Sequence, residues 1–425
     1  MIMKRLSNPH PKFRAAIVSL VIFISTLSWA AEIRMWTDKK GRTLEGKLEK
    51  IDGEEAIITL KNGKEIRINR SLLSSNDNNY LTEYGGGEAV VLSGKVGTPE
   101  KDARIDTKTF TELPDPFIFP DTEITFDAME TEHFLILTKG SFRPKNIAET
   151  AERLWHGMAF QHPTFRNKWG KNRRAIFVVD DEDTHKMLGE WYREWLSNNG
   201  GHEQSLKLAI TWPKSTGGQI NLPPEIAEPR GLLSTARVFK VTKENDSSFK
   251  KVFTPFVTHC VASDMLTTQM GGTSSFGAAG RFSIVTGHSY YKEIQLAGES
   301  GTSLISAKYD SSDIQSARGF ANGTDWAKEL KKLVRKGTVK PSIEALYKYE
   351  ADTLTPEELV LLYSFSYFMQ GDMGRLAAYT KMIERAESSR QIPEAIEIAK
   401  IFGFETPEAL EIAWTEFISS SAFKD

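Results

Sequence analysis

The chain has 425 residues, of which 40% are hydrophobic and 26% charged, with a formal net charge of −2. This is the composition of a folded chain long enough for two or three domains, and a mildly acidic balance gives no electrostatic basis for binding nucleic acid. The one cysteine, Cys260, rules out an internal disulfide, so packing alone must hold the fold.

The N-terminus reads as an export leader. Lys4, Arg5, Lys12 and Arg14 form a cationic start without an acidic residue, and Ala15 to Leu27 runs apolar without a charge. Ser28-Trp29-Ala30 then places small residues where a signal peptidase reads them. The apolar run is short of the roughly 20 residues that span a bilayer. The expectation is therefore cleavage after residue 30, a mature chain from Ala31 with its formal charge lowered to −6 by loss of four cations, and a periplasmic or extracellular location. A lipid would need a cysteine just after the cleavage site, and the only cysteine is Cys260; no other segment is apolar enough to anchor the chain in a membrane.

Residues 31–84 read as short strands between turns. Arg34 to Thr37, Thr43 to Ile51, Ala56 to Leu60 and Glu65 to Asn69 are strand-like, and a fifth strand is expected near Ser74. Asn62-Gly63 favours a tight hairpin. Alternation puts Ile66 and Ile68 inside and Lys64 and Arg67 outside. So many strands in so few residues fit a small SH3-like barrel.

The order Arg34-x-Trp36-Thr37, Gly41-Arg42-Thr43-Leu44-Glu45-Gly46, Asp52-Gly53, Lys61-Asn62-Gly63-Lys64 and Leu72-Leu73-Ser74-x-x-Asp77-x-x-Tyr80-Leu81 resembles the SLA-one homology domain. That resemblance implies an SH3-like fold, a peptide- or protein-binding role and no catalytic residue. Trp36 is the ligand-facing candidate, weighed against a place in the barrel core, where aromatics usually serve packing.

Residues 85–123, opened by Gly85-Gly86-Gly87 and punctuated by Pro99, Pro114, Pro116 and Pro120, read as a linker. From Ile124 the pattern is α+β: a strand at Phe134 to Leu137, an amphipathic helix after Pro144, a strand at Ala175 to Val179, and a helix through Trp191 and Trp195. Leu208 to Trp212 and Ala236 to Val241 are strand candidates, Phe249 to Met270 is a helix, and residues 324–425 form a helical subdomain.

Thr131-Glu132-His133-Phe134, Val178-Val179-Asp180-Asp181-Glu182, Leu362-Tyr363-Ser364-Phe365, Phe402-Gly403 and Glu411-x-x-Trp414-x-x-Phe417 occur in the order found in bacterial peptidase-MA-like gluzincins, which residues 124–421 resemble. Such a peptidase needs His-Glu-x-x-His on the helix at 249–270: two histidines one turn apart as zinc ligands and a glutamate as general base. Here that stretch is His259-Cys260-Val261-Ala262-Ser263. The resemblance puts a third ligand, the glutamate of Trp-x-x-Glu-Gly, at Ala279 in Phe276-Gly277-Ala278-Ala279-Gly280. One ligand of three remains and the base is absent, so no metal, no cofactor and no intact catalytic set are expected.

Other constellations carry less. His202-Glu203 lacks a second histidine, and Asp180 to Asp183 with His185 reads as an acidic helix start rather than a cation site. His288 with Tyr290 and Tyr291 offers a replacement polar cluster. The leading reading is an exported, non-catalytic binding or scaffolding protein with a peptide or protein partner. Trp36, His259, Ser263, Phe276 and His288 are its binding candidates. The alternative is a hydrolase rebuilt around His259, Cys260 and His288, which requires a base within reach of the thiol.

Overall fold

The computed structural model describes residues 33–38, 40–74, 77–78, 80–81, 96, 98–162, 164–241, 251–272, 277, 279–302, 325–351 and 353–424. The leader and Phe276 lie outside them. The architecture is α+β: a small antiparallel sheet, a larger mixed sheet and a helical C-terminal region.

The small sheet has strands β1 (Ile33–Thr37), β2 (Thr43–Asp52), β3 (Glu55–Leu60) and β4 (Glu65–Asn69), hydrogen-bonded in that order. Lys64 and Arg67 are exposed, while Ile66 and Ile68 are half-buried against a core of Trp36, Leu48, Ala56, Ile58, Leu73 and Leu81. The expected fifth strand shrinks to a single bridge between Asp38 and Leu73, because a 3-10 turn at Arg70–Leu72 uses the residues that would extend it. The closing Ser74-x-x-Asp77 motif has a physical role. Asp77 accepts from the Thr37 amide at 2.8 Å and the Ser74 hydroxyl at 2.7 Å, and pairs with Arg34 at 2.8 Å. Arg34 in turn lies over the rings of Trp36 at 4.9 Å and Tyr80 at 4.0 Å. One buried carboxylate thus fastens the end of the module to β1.

Residues 98–123 pack with the large unit. A helical turn at Pro99–Asp102 puts Glu100 against Lys292 at 2.6 Å, and the strands β5 (Thr111–Glu112) and β6 (Phe117–Ile118) both pair with β7 (Thr125–Glu130). The sheet continues through β8 (Phe134–Lys139), β9 (Arg173–Val179), β10 (Gly217–Asn221) and β11 (Leu232–Lys240) in the order β10-β11-β9-β8-β7-β5. The β8–β9 and β9–β11 pairs are parallel and the rest antiparallel.

Side chains alternate across this sheet. Leu135, Leu137, Phe177, Val179 and Val238 face helix α2 (Glu182–Asn198). Ile136, Ile176, Val178 and Phe239 face α1 (Pro144–Gln161) and α4 (Pro255–Gln269). The segment 208–212, expected as a strand, is helical: Leu208 to Thr211 end α3 (His202–Thr211) and Trp212 opens a 3-10 turn. Its contiguous apolar run holds two faces of a helix: Leu208 packs toward Trp195 and Trp212, while Leu206 and Ile210 are exposed. Asp181 caps α2 by accepting from the Thr184 amide, as an acidic helix start does.

Beyond the sheet come α5 (Arg281–Ala297), α6 (Trp326–Arg335), α7 (Pro356–Gln370), α8 (Met373–Ser389), α9 (Ala395–Ile401) and α10 (Pro407–Ser419). Helices α5 and α7 cross closely at Gly287, where an added Cβ would lie 2.5 Å from the Leu362 carbonyl oxygen. Ser364 and Trp414 meet through an indole N–H···Oγ bond of 3.1 Å, with Phe365 against the same ring.

Asp77→Ala is expected to remove about 2–4 kcal/mol from the small module, since it strips a buried charged acceptor from two donors and a guanidinium. Hydrogen exchange read by mass spectrometry should show faster exchange in β1 and around Ser74. Unchanged protection there would contradict the role given to Asp77.

Candidate functional site around His259

Helix α4 begins on Pro255, tolerated at its first position. It is buried on nearly every side, between the sheet, α1 and α5. His259 is 8% exposed. Its Nδ1 lies 2.9 Å from Oε2 of the fully buried Glu293 on α5, and its ring meets Tyr290 edge-on at 4.5 Å. The other carboxylate oxygen, Oε1, accepts from the Gly301 and Thr302 amides at 2.8 and 3.0 Å. The Tyr290 hydroxyl donates to the Thr302 carbonyl at 2.8 Å. A carboxylate on Nδ1 places a neutral ring's proton there and leaves Nε2 as the acceptor.

The neighbouring motif positions do other work. Cys260 is buried in the main core, where burial first and the Glu293 charge next push its thiol up to about 12 despite the nearby Arg237. At neutral pH it is a thiol, not a thiolate nucleophile. Ser263 is half-buried one turn after His259. Asp264 makes a two-pronged ion pair with the buried Arg174, at 2.5 and 2.7 Å, and the same guanidinium donates to the Thr235 carbonyl at 3.0 Å. Ala279 is exposed in the turn before α5. The carboxylate that reaches His259 comes instead from position 293.

His288 does not approach Cys260 as the rebuilt-hydrolase reading requires. It stacks on Tyr379 and its Nδ1 lies 3.2 Å from the Gln370 side-chain oxygen. Tyr290 faces His259 and Tyr291 faces Tyr367, so the three residues serve three different contacts. Nearby are Gln161, which donates to Gln370 at 3.2 Å, and His162, against Tyr379. His162, His288 and Gln370 are all buried, and both ring nitrogens of His162 and Nε2 of His288 lack a protein partner. Burial, then the Lys292 charge, holds His162 down to about 3 and His288 well below its ordinary value. Trp36 sits in the core of the small sheet, its indole N–H donating to the Gly46 carbonyl at 3.0 Å. His185 is buried against Trp212, 4.9 Å between ring centres, and both its ring nitrogens lack a protein partner. In the acidic turn Asp180 accepts from the Ser141 amide and Glu182 pairs with Lys240.

The donor set does not suit a zinc ion. Among the described residues no three His, Cys, Asp or Glu side chains are grouped to hold a metal. His259 keeps Nε2 as a candidate ligand, but position 263 supplies a hydroxyl where the resemblance needs an imidazole, and position 279 an alanine where it needs a carboxylate. Among the described residues no helix is long and apolar enough to cross a membrane. Comparisons with protein-family models, with curated proteins and with solved structures find no match.

His162 and His288 generate a pH dependence. Their folded pKa values lie below the ordinary 6.5, so the unfolded chain binds protons that the folded chain refuses. Their contribution is complete above pH 6.5 and falls below it, for His162 down to about pH 3, at about 1.4 kcal/mol per pH unit for each ring. Urea unfolding between pH 7 and 4 should show this slope. A His162→Gln, His288→Gln variant should make it shallower, leaving the part due to His185 and His156, which burial also lowers; an identical slope in the variant would place the titration elsewhere.

Proposed function

We propose that this chain is an exported, non-catalytic binding or scaffolding protein, in which an SH3-like module of the SLA-one homology type precedes a gluzincin-like domain that has lost its zinc chemistry. One observation carries the reading: helix α4 spends its motif positions on packing. Cys260 is a buried neutral thiol, and His259 is tied to Glu293, which is itself held by the Gly301 and Thr302 amides. Neither a general base beside a metal nor a nucleophile beside a base results. The partner is a peptide or protein held by residues around His259 and Ser263 or by the small module. The rebuilt hydrolase is disfavoured because His288 is bonded to Gln370 rather than placed beside Cys260.

Incubation of the purified protein with a broad peptide library, with zinc added, should give no cleavage above background. Cleavage abolished both by a chelator and by His259→Ala would restore the peptidase. The export reading is checked separately by N-terminal sequencing of protein from the native host, where the first residue should lie at or near Ala31; a chain retaining Met1 to Ala30 would refute it.

A further inference from the structure

A second surface of the large unit is built like a binding site. The β10–β11 end of the mixed sheet carries apolar residues on the face toward α2, where Ile220, Leu222, Ala236 and Val238 are buried. Strand alternation turns Gln219, Asn221 and Thr235 to the opposite face, and Asn221 and Thr235 are directly paired across the two strands. A groove of about 940 Å³ passes around the β10 end of the sheet, lined by these residues, by the C-terminal part of α2 and the start of α3 from one face, and by the end of α4 from the other.

The chemistry of the lining is specific. Trp195, Gln204, Gln219, Asn221, Ser234 and Thr235 supply an indole, three amides and two hydroxyls. Among the described residues the one charged side chain lining the groove is Arg174, and Asp264 neutralises it in the buried ion pair described above. Tyr192 stacks on Trp195 at 6.0 Å and 19°, and its hydroxyl meets the Asn221 backbone, so this part of the wall is fixed. Burying a charged ligand against these groups would leave its charge uncompensated. An extended peptide added to a sheet needs free backbone groups at an edge. Among the described residues β10 is the edge strand of the sheet, so this edge is not closed by a further strand, but the Tyr192 hydroxyl already meets its Asn221 backbone and the larger set of polar partners in the groove is side chains.

We propose that this groove binds a neutral oligosaccharide. A sugar hydroxyl both donates and accepts, and so do the amides and hydroxyls that line the wall. The flat, half-buried ring of Trp195 offers a platform for the apolar C–H face of a pyranose, with the polar ring substituents reaching Gln219, Asn221 and Thr235. The volume falls within the range of small-molecule sites and suits a short chain of sugars. The site is separate from the His259 face of α4 and stands or falls independently of the reading given to that helix.

The test is titration calorimetry of the mature chain with cellotetraose, chitotetraose and maltotetraose, alongside a neutral and an acidic peptide. At least one tetrasaccharide should bind, and Trp195→Ala and Gln219→Ala should each weaken it 10-fold or more. Circular dichroism melts establish that each variant folds; if Trp195→Ala does not, Gln219→Ala and Asn221→Ala decide. Absence of binding to all three sugars at millimolar concentration, binding unchanged in the folded variants, or preference for either peptide would overturn the proposal.

Discussion

The carboxylate of Glu293 is the point on which the centre of the large unit depends. A buried charge is costly unless its lone pairs are met by donors, and Glu293 is met by three: His259 of α4 and the amides of Gly301 and Thr302. Charge-assisted bonds of this kind are short and strong. The preceding residue, Lys292, makes a second buried ion pair with Glu100 before the mixed sheet begins. Two successive residues of α5 therefore hold, respectively, the central helix with its following loop and the segment that leads into the sheet. This fixes α5 in rotation, and with it the close crossing at Gly287 and the turning of His288 toward Gln370 and Tyr379.

That fixation gives His259 a structural role that requires no catalytic chemistry. A carboxylate on Nδ1 is the same arrangement that orients a metal-bound or catalytic imidazole. Here it occurs with no adjacent glutamate, with a hydroxyl one turn on, and with a thiol that burial keeps protonated. The orienting half of a catalytic arrangement is present and serves to join two helices.

Local pattern made much of the fold readable. The four strands of the small module are bounded by turns such as Asn62-Gly63, whose backbone requirements are local, and β8, β9, α1 and α2 follow from period and length. The segment Leu208 to Trp212 misled because five residues rich in apolar and β-branched side chains fit either a strand or a helix; the decision rests on Leu208 packing near Trp195 and Trp212, a tertiary fact. The site was legible only in part. His259, Cys260 and Ser263 stand out through spacing on one helix. Glu293 lies 34 residues after His259 and its contact depends on how two helices cross. The only trace in sequence is an acid inside an otherwise largely buried helix. The cluster of Gln161, His162, His288 and Gln370 draws on three separate segments and leaves no local signature.

Helix α4 also divides the large unit into two surfaces with different physics. Toward its middle, His259 belongs to a charged, hydrogen-bonded set that ties α4 to α5. One residue beyond Ser263, Asp264 turns the other way and locks Arg174 of β9 beneath Thr235 of β11, at the register shift between Leu232 and Ala236. This second ion pair clamps the end of the helix to the sheet while leaving no net charge in the groove above it. A catalytic cleft commonly needs a group that titrates or moves, whereas selective recognition of an uncharged molecule depends on polar groups held in place beforehand. Over β10 and β11 the stacked Tyr192–Trp195 wall and the Thr235 hydroxyl on Arg174 are held in this way, so the two sides of α4 differ in kind: one is a charged joint between helices, the other a neutral polar surface.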